Sequence, residues 1–334
     1  MNIALDAMGG DHAPAEIVHG ALQAAPLVGG KIFLVGQPEA IERHLGQDRP
    51  PNIEIVPASQ VIEMDEKPTE AIRKKKDSSM AVAANLVRDG GAAAFVSAGN
   101  TGAATAISLL TWRQVHGVHR PAIGSLIPSR GDGFLLLDAG ASPDIEPENL
   151  LEFAVMGRAY MEKVQGRKHP KVHLLNIGEE EGKGSAWAKQ AQKLLAEHDW
   201  FAGNVEGKDM FRADVDVVVC DAFVGNIVLK TCEGVAEFMA ELIRNEIPTS
   251  KLAQLPYLPM RKAMAPVRQR MDYAEVGGSP LLGLNGICVI AHGRSSAKAM
   301  KNAVLMAERS IRGDLVNTIR ESVAKELESK GSLL

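Results

Sequence analysis

The chain has 334 residues, enough for one large α/β unit or two lobes, and 46% of them are apolar, ample material for a core. Aromatic residues are only 4% while glycines number 32, which suits a Val/Ala/Gly-rich α/β fold better than an aromatic-rich β-sandwich. A net charge of −4 argues against general nucleic-acid binding, which goes with a basic excess.

In chain order, Ile3-Ala4-Leu5 predicts a short buried strand with Asp6 at its C-terminal end. Met8-Gly9-Gly10-Asp11 then turns, and Pro14 suits the first turn of a helix. Asp11 is either that helix's N-cap or part of a turn lining a ligand crevice. Lys31 to Val35 is a strand, Pro38 to Leu45 a helix and Ile53 to Val56 a strand. The polar stretch VIEMDEKPTEAIRKKKDSS, Val61 to Ser79, precedes a helix from about Met80 to Arg88. The runs AAAFVS, GFLLLDAG, KVHLLNIG, VDVVVCDAF and ICVIAHG are near-continuously apolar, as expected of parallel strands buried on both faces. Most are followed by a helical pattern, such as TGAATAISLLTW or NIVLKTCEGVAEFMAELI. This alternation predicts an α/β fold, a three-layer α/β/α sandwich with a mostly parallel sheet. We take residues 1–334 as a single enzymatic unit. Cys220, Cys232 and Cys288 have no metal-site spacing and read as buried thiols of a reducing cytosol. Neither a signal peptide nor about 18 uninterrupted apolar residues is present, so a cytoplasmic protein is expected.

Ligands of open α/β sheets bind beyond the carboxyl ends of the strands. Here each such end delivers a polar group and then small residues: Asp6 before MGGD, Ser97 before AGNTGA, Asp138 before AGAS, Asn176 before IGEEEGKG, Asp221 before AFVGN and His292 before GRSS. One junction of this kind usually only turns the chain; six of one design point to a site. Small residues let backbone N–H groups at a helix start approach an anion. Gly99-Asn100-Thr101-Gly102 is the clearest phosphate cradle, with Asn100 offering an amide donor and Thr101 a hydroxyl. GEEEGKGS is not a P-loop: three residues separate Gly178 from Gly182, and Lys183 is followed by glycine. Lys183, a cation between glycines, is placed to reach a phosphate or a developing oxyanion. Arg73 to Lys76, including Lys75, is a solvated face or an anion patch. His292 is either a general acid/base or a structural histidine. No nucleophile elbow or zinc motif occurs.

DAMGGDHAP, EKPTEAIRKKKDSSM, VSAGNTGA, NIGEEEGKG, FAGNVEG, FVGNIVLKTCEG, YAEVGGSPLLGLNG and AHGRSSAKA together resemble the acyl-acyl-carrier-protein:phosphate acyltransferases of bacterial phospholipid synthesis, in order from Met1 to about Gly313. The resemblance implies conversion of acyl-carrier-protein thioester and inorganic phosphate to acyl phosphate and free carrier protein. It implies a fold like isocitrate and isopropylmalate dehydrogenases and phosphotransacetylase, and a homodimer. Lys183 and Asn226 match the GKG and FVGN motifs and are assigned phosphate or oxyanion binding and carbonyl orientation. Gly9, Gly10, Asp11, Ser97, Gly99, Asn100, Thr101 and Gly102 would hold phosphate and flank the thioester, with Asp6 a positioning residue; Lys75, His292 and Ser295 complete the set. No cofactor and no metal is expected. Ser142 and Ala222 depart from the pattern, standing where Asn and Gly are usual. Transfer from acyl-CoA by a phosphotransacetylase-like enzyme would use the same site; a metal-dependent dehydrogenase and a membrane scaffold for carrier protein rank lower.

Ile247 to Met271 carries four prolines, five cations and no acid. Leu252, Leu255, Leu258 and Met260 interleave with Lys251, Arg261 and Lys262. That pattern, inside a basic and apolar helical segment over 245–275, reads as an insertion, a helical hairpin at a dimer interface or an anionic membrane surface, where each cation is worth about 1 kcal/mol. The resemblance implies the membrane, delivering acyl phosphate to an integral glycerol-3-phosphate acyltransferase. Salt-sensitive liposome binding that disappears in Leu258→Glu is the expected outcome; binding unchanged by the substitution excludes lipid contact.

Overall fold

The computed structural model describes residues 1–46, 49–245 and 273–331; the basic and apolar stretch from Ile247 to Met271 lies outside them, with Leu252, Leu255, Leu258 and Met260. The run Ile3–Asp6 (β1) is buried throughout and pairs in parallel with Ile32–Gly36 (β2) and Ala94–Ser97 (β4). Ile3, Leu5, Ile32, Leu34 and Val96 pack toward one face, and Ala4, Val35 and Phe95 toward the other. This is the period-two alternation of strands covered on both sides. Ile53–Pro57 (β3) ends this half, and Ile287–Ile290 (β11) continues it beyond β4. In the other half Phe134–Leu137 (β6), Val217–Val219 (β9), Val172–Leu175 (β7) and Phe201–Val205 (β8) are also mutually parallel. Ala122–Ile127 (β5) and Ser279–Leu282 (β10) join the halves, giving among the described residues an 11-stranded sheet of order β3-β2-β1-β4-β11-β10-β5-β6-β9-β7-β8.

The sheet is mostly parallel with helices on both faces, as the sequence predicts. Ala15–Ala24 (α1) and Pro147–Lys163 (α6) cover one face. Ser79–Arg88 (α4) and Thr101–Trp112 (α5) cover the other. Two features differ from expectation. Pro68–Lys74 (α3), a helix, interrupts the polar stretch, Pro38–Leu45 (α2) being the helix before it. More consequentially, the pairings β11–β10, β10–β5 and β5–β6 are antiparallel. The strands β6, β9 and β7 therefore run opposite to β1, β4 and β11, and the six polar strand ends divide between two edges of the sheet.

A long helix spans the division. Ala186–Leu195 (α7) precedes β8, and Ala222–Asn245 (α8) follows β9. Its first turn lies against the end of β6: a Cβ on Gly225 would sit 1.9 Å from the Asp138 carbonyl oxygen. Backbone cannot yield at that distance. Gly225→Ala should therefore lower stability by about 1–3 kcal/mol, as overpacked sites do. Gly234→Ala, on the same helix with nothing within 4 Å of the added methyl, should raise it by roughly 0.5–1 kcal/mol. Urea denaturation of both variants checks this; equal effects would mean that the Asp138 contact does not hold α8.

Candidate active site

Three neighbouring strand ends, β1, β4 and β11, build one corner. Asp6, wholly buried, accepts hydrogen bonds from Met8 N at 3.1 Å and from Ser97 Oγ at 2.7 Å. Ser97 Oγ in turn accepts from Gly99 N at 3.0 Å. The two loops thereby meet backbone to backbone: a Cβ on Gly9 would fall 2.8 Å from Gly99 N, and one on Gly99 would fall 3.2 Å from Gly9 Cα. Gly10 takes φ +107°, open to glycine, with Ala98 and Gly293 carbonyls against it. Asp11 N donates to Gly293 O at 2.8 Å, closing the corner onto β11.

Asp11 is not a helix cap, because α1 begins at Ala15 with Pro14 as its N-cap residue. Asn100 does cap a helix: its Oδ1 accepts from Ala103 N at 3.0 Å. Its amide does not serve as the anion donor expected from sequence. Nδ2 has two protons, and it donates to Met64 O and Glu66 O at 3.0 Å each. The N–H groups of Thr101 and Gly102 are left without intrahelical partners, as in any first helical turn. Both residues are exposed. Lys75 is likewise engaged, its Nζ lying 2.6 Å from both Glu66 Oε2 and Val61 O.

His292 follows β11. Its Nδ1 accepts from Arg294 N at 3.1 Å, which sets the tautomer with the proton on Nε2. Partial burial pushes its pKa below the ordinary histidine value, and the nearby Lys230 charge acts in the same direction. Ser295 is buried, and its hydroxyl has no hydrogen-bond partner among the described residues. Lys230 reveals what sequence reading missed. Asn226, Lys230, Glu233 and Glu237 recur at i, i+4, i+7 and i+11 and so share one stripe of α8. Along it, Asn226 lies beside Gly140, Lys230 pairs with Glu233 at 2.7 Å, and Glu237 pairs with Arg294 at 3.5 Å. The spacing in FVGNIVLKTCEG was the available signal.

The other edge holds Asp138 and Lys183. Asp138 Oδ1 accepts from the backbone of Ile123, Gly140 and Ala141, and Oδ2 from Ser142 N at 2.8 Å. Ser142 secures the loop further by donating to Pro121 O at 2.9 Å. Lys183 stands on the exposed turn after β7, with Glu180 Oε1 at 4.0 Å. No hydrogen bond or ion pair joins it to Asn226 or to the glycine corner among the described residues. Among them also, no group of three or more His, Cys, Asp or Glu could hold a metal ion, and no helix is long and apolar enough to cross a membrane. Cys220 and Cys288 are buried, Cys232 only partly.

Fold and site thus define an α/β protein with a mostly parallel sheet whose strand ends run through glycine turns into helix starts. Residues 1–318 match the family model described as fatty acid synthesis protein, and the chain belongs to that family. It is 48% identical to the phosphate acyltransferase of Heliobacterium modesticaldum, over 98% of this chain and 99% of that one. It is 47% identical to the phosphate acyltransferase of Desulfitobacterium hafniense strain DSM 10664, over 97% and 98%. Among solved structures, a phosphotransacetylase from Streptococcus pyogenes matches with TM-score 0.61 at 17% identity, over 93% of this chain and 94% of that one. A 4-hydroxythreonine-4-phosphate dehydrogenase from Klebsiella pneumoniae matches with TM-score 0.52 at 14% identity, over 92% and 97%.

Burial pushes the Asp6 carboxyl above its ordinary value, against the opposing hydrogen bonds from Ser79, Ser97, Met8 and Gly9. A carboxyl raised in the native state contributes stability that is full below its unfolded pKa and lost as pH rises through the folded one. Asp6→Asn abolishes that loss. The melting temperature of the variant relative to wild type should therefore climb as pH rises above the ordinary aspartate range, about pH 4. A difference independent of pH would show that Asp6 does not titrate in this way.

Proposed function

We infer that this chain is a phosphate acyltransferase, forming acyl phosphate and a free thiol from an acyl thioester and inorganic phosphate. The observation that carries the inference is the glycine corner in a member of this family. Gly9, Gly10 and Gly99 bring backbone within reach of a small anion, and the start of α5 favours negative charge there. Phosphate needs no activated side chain to attack a thioester. The chemistry asks instead for donors to the oxyanion that develops on the carbonyl. Lys183 supplies charge to the phosphate or oxyanion and Asn226 orients the carbonyl; Asp6 and Ser97 hold the turns. Thr101 and Gly102 donate to phosphate, with His292 and Ser295 lining the β11 side. For Lys183 to act with Asn226 and the corner, its exposed turn must fold in over bound substrate.

The acyl donor in this reading is acyl-carrier protein, and the cytoplasmic enzyme works as one unit on a framework of the isocitrate/isopropylmalate dehydrogenase type. A homodimer accounts for the exposed apolar side chains Val235, Phe238, Met239, Leu242 and Ile243 of α8, which a second copy would cover. Peripheral membrane contact would hand acyl phosphate to a membrane glycerol-3-phosphate acyltransferase. A phosphotransacetylase-like transfer from acyl-CoA is the second reading, favoured by the likeness in fold to the Streptococcus pyogenes enzyme.

Trapping acyl phosphate with hydroxylamine tests all of this. Palmitoyl-acyl-carrier protein should yield hydroxamate above the enzyme-free thioester background only with phosphate present. Lys183→Ala and Asn226→Ala should each lower the rate by roughly 10²–10³, the usual effect of removing one oxyanion donor. Product from palmitoyl-CoA alone would favour the second reading, and hydroxamate formation indifferent to phosphate would reject both.

A further inference from the structure

The stretch from Val61 to Glu66 has no part in the chemistry above, yet it is tied to the site from several directions. Asn100 Nδ2 holds the Met64 and Glu66 carbonyls at 3.0 Å each. Glu66 Oε2 accepts from Glu63 N at 2.8 Å and from Lys75 Nζ at 2.6 Å, and Lys75 reaches Val61 O as well. The Lys75 ammonium keeps the Glu66 carboxyl below its usual range, so the latch is charged near neutrality. Pro68, just beyond, packs over Gly102: a Cβ there would meet Pro68 Cγ at 2.8 Å. The loop is therefore fastened to the same helix start that offers the Thr101 and Gly102 donors.

This fastening delivers one side chain. Met64 reaches across to β11, where a Cβ on Gly293 would lie 2.8 Å from Met64 Cε. Gly293 is also the residue whose carbonyl takes the Asp11 N–H. A long thioether thus lies across the mouth of the glycine corner, between the β4 and β11 loops, and remains 43% exposed. An isolated exposed methionine needs no explanation. One whose backbone is held by a buried asparagine, and whose tip rests where any side chain at 293 would displace it, is placed.

We propose that Met64 is a specificity-determining residue, the apolar wall against which the acyl thioester donor lies beside the phosphate cradle. Asn100, Glu66 and Lys75 are its positioning residues. The proposal rests on the acyl-transfer reading. Methionine suits the task, because its flexible thioether adapts to an apolar arm of variable shape. Phosphate itself, bound by backbone N–H groups on the other side, makes no demand on it.

The test separates the two substrates. Met64→Ala should raise KM for palmitoyl-acyl-carrier protein roughly tenfold, the low end for trimming an apolar group from a binding pocket. KM for phosphate should stay within about twofold, and Met64→Leu, which restores apolar bulk, should recover most of the donor KM. An unchanged donor KM, or both constants rising together, overturns the proposal. A second measurement does not depend on turnover. In phosphate-free buffer with dilute peroxide, palmitoyl-acyl-carrier protein should slow sulfoxide formation at Met64, and deacylated carrier protein should not. Buried Met80 and Met300 serve as references. If wild-type protein forms no acyl phosphate, the acyl-transfer reading fails, and the footprint alone decides the place of Met64. Protection by the acylated carrier then supports the wall, and oxidation at equal rates with and without it rejects the wall.

Discussion

The hydrogen bond between Ser97 and the buried Asp6 carboxylate is the constraint on which the site depends. It crosses from β4 to β1 at 2.7 Å, inside the sheet's C-terminal edge, where water cannot substitute for either partner. Remove it and the Gly9 and Gly99 backbones have no reason to meet. A buried carboxyl group is tolerable only when its lone pairs are filled, and Asp6 fills them with the loop N–H groups of Met8 and Gly9 and the hydroxyls of Ser79 and Ser97. The same solution recurs at Asp138, where four backbone N–H groups order the turn after β6. In both places the aspartate shapes a loop, and at Gly9 and Gly99 the missing side chains let backbone meet backbone.

Several parts of this arrangement were legible in the sequence, for physical reasons that can be named. The helix Pro38–Leu45 announces itself by proline at its first position, and Thr101–Trp112 by the Asn100 cap. The continuous apolar runs could only be strands covered on both faces. What was not legible was direction. Strand β10 carries Pro280, which lacks an amide hydrogen and argues against a central strand, yet it sits between β11 and β5. Without β10 and β5 in view, six similar strand ends read as one rim, when three face one edge and three the other.

Side-chain ownership was the other blind spot. Asn100 has donors and acceptors enough for a phosphate, and nothing local in GNTG shows that a loop more than thirty residues earlier claims both amide protons. Lys75 is similar: within RKKK it looks like a solvated cation, and only the fold brings Glu66 to it. Long-range partners of polar residues are invisible to periodicity, whereas the stripe Asn226–Lys230–Glu233–Glu237 is a helical period and was open to inspection.

That stripe reconciles the two edges. Because β9 runs opposite to β11, the helix leaving β9 travels back toward the end of β11. At about 1.5 Å per residue, the four residues from Asn226 to Lys230 advance it about 6 Å. One helix therefore carries the Asn226 amide beside Gly140 and the Lys230 cation toward His292, with Glu233 paired to Lys230 along the helix and Glu237 tying it to Arg294. The antiparallel crossing that obscured the topology is thus what allows a single rigid element to serve both halves. It also explains why Gly225 must lie flush on the Asp138 carbonyl: any side chain there would lift the helix from β6 and tilt the whole stripe away from β11.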